Sequence, residues 1–398
     1  MRNRAGYICT VLLVVILLPE CLSIDQETRI SCFILGKVQA SLCPFTSYFQ
    51  EDPLFVYSLE PIPSGLTNEE RRRYDRQYFP RTRSILVDSI DMMFFSDARV
   101  QHFMPRQFSD LDYAFRDAGM PSYWSFGPAW IQAIEPTILY QLLPVSEYDF
   151  YFHKNWKVVF REGRDPVLTP FKALGMEKVQ GDAYAKMVPR PGAEIWADME
   201  PVDFPWLVSW EPGGSNPGIA WVCGDEFNQQ WWALTPGSRH MNPYAIDMTT
   251  NMILYSLGRD LVRDIQARRA ARELLSTFKA QKLLILSMIE WADGFGANVL
   301  SVSSDLTDLE ADVEESTSHY LNQEYTASIT LMDALDTRVV EITREAVRLK
   351  DEALFWVFLS EWLAVTSATL LSGIVVWTLM VRRRLYRSVT TTRMTRNR

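Results

Sequence analysis

Histidine and cysteine are scarce, with four of the first and five of the second in 398 residues. The histidines, His102, His153, His240 and His319, are scattered and show no His-x-x-x-His or comparable ligand spacing. No Cys-x-x-Cys pair occurs, which excludes a zinc ribbon or a thioredoxin-type dithiol. Cys9 and Cys21 fall in an N-terminal apolar segment, leaving Cys32, Cys43 and Cys223. Whether Cys32 pairs with Cys43 stays open, and an odd count makes no disulfide framework. Gly-x-Gly-x-x-Gly and Walker sequences are both missing, so no phosphate-cradling loop is expected. These shortages predict neither a cofactor nor a metal. No Asn-x-Ser/Thr sequon occurs, which argues against a heavily glycosylated eukaryotic ectodomain. Positive charge is also in deficit, with 40 Lys and Arg against 49 Asp and Glu, a net charge of -9. That field opposes nucleic acid, and the local run Arg71–Arg76 is too short to reverse it.

Apolar residues are plentiful. They make up 47% of the chain, aromatics 13%, and most of the 13 tryptophans lie between Trp124 and Trp232. A packed core is therefore expected there. At the N-terminus Arg2 and Arg4 precede "YICTVLLVVILL", then Pro19, Glu20 and small residues around Cys21–Ser23. This order predicts a signal peptide over residues 1–23, too short to span a bilayer comfortably. Near the other end, "WLAVTSATLLSGIVVWTLMV" from Trp362 to Val381 is uncharged, long enough to span, and followed at once by Arg382, Arg383, Arg384 and Arg387. Positive residues stay cytoplasmic and Trp356, Trp362 and Trp377 suit the interfaces. The expected topology is a single-pass cell-membrane protein: residues 354–381 spanning, 382–398 a basic cytoplasmic tail, the rest extracytoplasmic.

Between these ends the pattern predicts α/β order. "ISCFILG", "PLFVYSLEPIP", "SIDMMFFSDAR" and "PSYWSF" read as strands. Thr67 and Glu70 form a capping box for a helix through Tyr78, and Pro105 opens a second helix closed by Gly119. Such β-α-β units form right-handed crossovers in a parallel sheet. After a helix over Glu135–Leu143, the segments "VSEYDFYF", "WKVVFREG", "AEIWAD", "PWLVSW" and "GIAWVCGD" suit antiparallel additions. Asn242-Pro243 caps a last helix through Leu257, ending a domain over 24–257. Residues 258–353 turn long and amphipathic, broken at "DGFGAN", and predict a helical hairpin or bent stalk. Its stripe Leu331, Leu335, Val339, Ile342, Ala346, Leu349 and Ala353 serves packing within the hairpin, or alternatively self-association.

Three stretches carry a resemblance: "IDMMFFSD", "MPSYWSFGPAW" and "PWLVSWEPGGSNPGIAWVCGDEFNQQWW". Through them Ile30–Gly258 resembles class I glutamine amidotransferase-like domains, the flavodoxin-like group that includes trehalose-utilisation-type proteins. The helices, span and arginine tail are similar to the C-terminal anchors of archaeal surface proteins. The resemblance implies a flavodoxin-like parallel sheet with antiparallel additions. In catalytic members a cysteine stands at a strand-to-helix elbow, where backbone N–H groups form an oxyanion hole and a His and Glu activate the thiol. Here the elbow reads Trp124-Ser125-Phe126-Gly127-Pro128, without cysteine or a Gly-x-Ser-x-Gly frame, and Pro128 lacks an N–H. Gln229 and Gln230 stand where the family usually places a histidine before the tryptophan, and Cys223 reads as a buried structural thiol.

In an open parallel sheet, ligands sit beyond the carboxyl ends of the strands. Those loops supply Asp97, Arg99, His102, Trp124, Ser125, Asp225 and Trp231, a pocket suited to a sugar, an amino compound or a protein partner. The expected function is a membrane-anchored, catalytically degenerate binding protein. The alternatives are an extracytoplasmic hydrolase or isomerase using Asp97, His102 and Asp225, and a structural surface stalk.

Overall fold

The computed structural model describes residues 28–61, 66–98, 100–127, 131–161, 166–225, 231–232 and 242–394. The segment expected to be a signal peptide, Arg99, His240, Gln229, Gln230 and the last four residues lie outside them, as do the side chains of 132–133, 150–155, 180–183 and 387–394. The chain alternates β1 (Ile30–Gly36), α1 (Pro44–Glu51), β2 (Phe55–Leu59), α2 (Asn68–Tyr78), α3 (Arg83–Ser89), β3 (Met92–Ser96), α4 (Pro105–Arg116) and β4 (Ser122–Ser125). Two short helical turns follow, α5 (Ile131–Ile134) and a 3-10 turn (Ile138–Leu142), in place of the longer helix expected over 135–143. Then come β5 (Val145–Phe160), α6 (Thr169–Lys172), β6 (Gln180–Pro189), β7 (Glu194–Glu200), β8 (Phe204–Trp210), β9 (Ala220–Cys223) and α7 (Ala245–Ser256).

Among the described residues nine strands form one sheet in the order β2-β1-β3-β4-β9-β8-β7-β5-β6. The half from β2 to β9 is parallel, and the half from β9 to β6 is antiparallel. Parallel strands covered on both faces are uniformly apolar, and every residue of β3 and β4 is buried. On one face Phe95 stacks on Trp124 with centroids 3.7 Å apart. On the other, Phe94 and Tyr123 pack with Phe45 of α1 and Trp232. The capping box is present: Glu70 N–H donates to Thr67 Oγ1, and Thr67 N–H donates to Glu70 Oε2. The two segments expected on either side of residues 153–155 are one sixteen-residue strand, β5, carrying an irregularity between Phe152 and Trp156.

The helical part differs from a two-helix hairpin. Three helices follow, α8 (Ile265–Gly294), α9 (Leu300–Leu321) and α10 (Tyr325–Met394). The first break is the glycine one, with Gly296 at φ 81. The second falls at Asn322–Glu324, where Gln323 takes a left-handed φ of 63 without any glycine or proline to announce it. The chain divides into two compact units. One runs to Ser276 and includes Ser316–Ile329; the other comprises Thr277–Glu315 and Thr330–Arg398. In the second, Val302, Leu306 and Leu309 of α9 and Leu335, Val339, Ile342, Ala346, Leu349 and Ala353 of α10 are buried. Ion pairs Lys282–Glu310 and Arg338–Asp312 accompany them. From Trp362 to Tyr386 the apolar side chains of α10 are exposed, and among the described residues this is the one helix long and apolar enough to cross a membrane.

Candidate functional site

The parallel strands deliver their carboxyl ends to one edge of the sheet. Gly36 ends β1 at φ 98, and a Cβ there would stand 2.2 Å from the Ser96 carbonyl oxygen, so only glycine lets β1 and β3 end this close together. Lys37 follows, its N–H donating to the Ser96 carbonyl at 2.7 Å. Asp97 follows β3 in a left-handed conformation, φ 48. Its N–H donates to the Ser125 carbonyl at 2.8 Å, its Oδ1 accepts the Gly127 N–H at 2.8 Å, and its Oδ2 lies 2.6 Å from Lys37 Nζ. One carboxylate thus ties the ends of three neighbouring strands together. A Cβ on Gly127 would lie 2.9 Å from Asp97 Oδ1, so the glycine of the elbow admits this carboxylate.

The rest of the elbow is turned inward. Ser125 is fully buried, and its hydroxyl donates to the Asp225 carbonyl at 3.4 Å. Asp225 Oδ1 accepts from Cys223 Sγ at 2.9 Å and Trp232 Nε1 at 3.0 Å. Burial, reinforced by the Asp225 charge, pushes the Cys223 thiol well above its ordinary pKa. Cys32 and Cys43 are likewise free, buried thiols and form no disulfide. Trp124 is wholly enclosed, its Nε1 donating to Ser122 Oγ at 2.8 Å, and Trp231 packs on Trp206 and Phe160. Asp97, Ser125 and Asp225 therefore lie together at one edge of the sheet. Trp124 and Trp231 are core residues and not apolar walls, because the central strands are covered on both faces.

His102 goes elsewhere. It follows β3 by a loop and turns toward the end of β2. Its Nε2 lies 2.9 Å from Asp75 Oδ1 of α2 and 3.9 Å from Glu60 Oε1, just past β2. The acid/base grouping of His102 with Asp97 and Asp225 is corrected accordingly: its carboxylate neighbours are Asp75 and Glu60. All three groups are buried. Desolvation, joined by the Asp75 charge and opposed by His102, raises Glu60 to about 8. For His102 burial acts downward, yet the two carboxylates hold its pKa above the usual value. For Asp75 burial acts upward, but the hydrogen bond with His102 and the Glu60 carboxyl beside it keep it low. Asp75 also lines a surface cleft of about 380 Å³ with Arg76, Phe79, Arg81, Met104 and Arg106. Sequence reasoning missed Glu60 and Asp75, since one sits in an apolar strand-end segment and the other in a helix of alternating charges.

Fold and site together define a chain with a mixed α/β sheet and, among its described residues, one helix long and apolar enough to cross a membrane. No protein-family model matches the chain, and no curated protein matches it. Among solved structures it is similar to the cytoplasmic protein STM1381 from Salmonella typhimurium LT2, at 14% identity and a TM-score of 0.41, over 57% of this chain and 99% of that one. It is similar to STM3548 from Salmonella typhimurium at 14% identity and 0.42, over 57% and 98%. The mmIFT52 N-terminal domain aligns at 10% identity and 0.37, over 58% and 98%. Likeness of this degree carries no functional argument.

Proposed function

We propose that this chain is a membrane-anchored, extracytoplasmic protein whose flavodoxin-like, glutamine amidotransferase-like domain has no amidase chemistry and binds a ligand or protein partner. The observation that carries the reading is the Asp97–Gly127 contact. An amidase needs elbow N–H groups free to meet a developing oxyanion. Here a resident carboxylate already takes the Gly127 N–H, Ser125 lies buried behind it, and Cys223 is a high-pKa buried thiol. The sheet order from β2 through β1, β3 and β4 to β9 supports the flavodoxin-like reading, since that topology places its strands in the same sequence. Arg382–Arg384 immediately after the apolar stretch support a cytoplasmic tail.

The ligand-binding part of the reading moves from the strand ends around Trp124 to the cleft beside Asp75. That cleft is lined by Arg76, Arg81 and Arg106 together with the apolar Phe79 and Met104. Two assays test the proposal. Ammonia release from glutamine by the purified chain is expected to stay at the buffer rate; turnover abolished by Cys223→Ser would overturn it. Protease added to intact cells is expected to digest the α/β domain and spare an epitope placed after Arg398. The opposite pattern would reverse the topology.

A further inference from the structure

From the geometry of Glu60, Asp75 and His102, we infer a divalent transition-metal site of the Zn²⁺ or Mn²⁺ class. One donor atom from each of the three lies within 4.8 Å of the others. Donors about 2.1 Å from a shared ion stand no more than about 4.2 Å apart. The separations of 2.9 and 3.9 Å around His102 Nε2 fall inside that limit.

A second, independent observation points to a missing partner. Glu60 has no accessible surface, yet neither carboxylate oxygen has a hydrogen-bond partner, and Asp75 Oδ2 and His102 Nδ1 lack one as well. Buried polar atoms in this state are costly unless something pairs them. Nearly all such atoms in a folded protein are satisfied, so three unpaired carboxylate oxygens in one buried cluster mark a place built for another species, while His102 Nδ1 lies on the other side of the ring from the Nε2 that would bind it. Charge is compatible with an ion: once Glu60 and His102 give up the protons they hold without it, two carboxylates and a neutral imidazole carry −2, which one dication neutralises. Two hard oxygen donors with one imidazole suit Zn²⁺ or Mn²⁺, whereas a soft ion would call for thiolates. Asp75 also lines the surface cleft, which brings the cluster next to solvent at one of its three members. The scarcity of histidine and the lack of ligand spacing hid this site, because its three donors come from a strand end, a helix and a loop. It stands independently of the binding role proposed above.

The test uses the untagged full-length chain in detergent, stripped with a chelator and then dialysed against Zn²⁺ or, separately, Mn²⁺. Elemental analysis is expected to find about one equivalent of at least one of the two ions. In Glu60→Gln and His102→Gln that stoichiometry is expected to fall at least tenfold while the circular dichroism spectrum stays unchanged. Glu60→Asp, which keeps the charge but withdraws it by one methylene, guards against misfolding and is expected to weaken binding about tenfold without abolishing it. No uptake of either ion by the parent chain would overturn the site. So would equal uptake by parent and folded Glu60→Gln, which would place the bound ion elsewhere.

Discussion

The Tyr320 hydroxyl donates to Asp52 Oδ2 at 3.1 Å, across 268 residues of sequence. Asp52 lies just after α1 and Tyr320 near the end of α9. Between them stands Arg268 of α8, fully buried, bonded to Asp52, to Asp247 of α7 and to Thr250 Oγ1 at 3.0 Å. Arg272 adds a second guanidinium, 3.0 Å from Asp247 Oδ2. Two buried aspartates of the α/β domain thus depend on two arginines that lie beyond the boundary at 257 that its sequence suggests.

A fragment ending at Leu257 would leave Asp52 and Asp247 without their cations. Removing one partner of a buried pair costs about 3–5 kcal/mol. The fragment is expected to melt broadly or to aggregate. The full chain is expected to melt cooperatively, with Arg268→Ala lowering its stability by a similar amount. Calorimetry of the three proteins decides the matter; an equally stable 28–257 fragment would count against it.

The same network predicts a pH dependence. Burial alone would raise the pKa of Asp247, but Arg268 and Arg272 outweigh it and hold the carboxyl below its ordinary value. A carboxylate depressed in the folded state contributes stability above its unfolded pKa, about 3.9, and loses it as the pH falls through the folded value. The difference in urea midpoint between the parent and Asp247→Asn is expected to be constant above about pH 5 and to shrink in more acidic buffer. A difference that instead grows on acidification would contradict the assignment.

Cys32, Cys43 and Cys223 are buried and unpaired, with pKa values raised first by desolvation. Because the thiolate is the reactive form, the folded chain is expected to leave all three unmodified by a thiol reagent at neutral pH. In denaturant all three should react. Fast native labelling that vanishes in Cys223→Ser would show an accessible nucleophile at the strand edge.

Trp124→Ala is expected to act on stability. Losing an indole stacked on Phe95 at 3.7 Å within a closed core costs about 3–5 kcal/mol. Denaturant titration should show the loss. A variant as stable as the parent would return Trp124 to an exposed wall.

Much of the α/β architecture is readable in the chain because its strands are apolar runs ended by Gly, Pro or Asp, and because the Thr67 box and Pro105 mark two helix starts. The short α1 and α3 escaped, since eight- and seven-residue helices hold too few turns for a clear period. The Asn322–Glu324 break escaped because Gln323 takes a positive φ that its side chain does not favour. At the strand edge, Asp97, Ser125 and Asp225 were readable as neighbours from topology alone. That His102 belongs with Glu60 and Asp75 was not, since no local spacing connects a strand end, a helix and a loop.

The contact of Asp97 with Gly127 also bears on what substitution could achieve here. A thiol placed at position 125 would be enclosed behind the Asp225 carbonyl, beside an N–H already bound by a carboxylate that is itself held by Lys37. Replacing Asp97 to free that N–H would remove the side-chain link between the ends of β1 and β4 and strand the lysine charge, leaving only the backbone bonds of Lys37 to Ser96 and of residue 97 to Ser125. A thiol at position 125 and a free N–H at Gly127 therefore call for changes at two positions, the second of them at a carboxylate that links two strand ends.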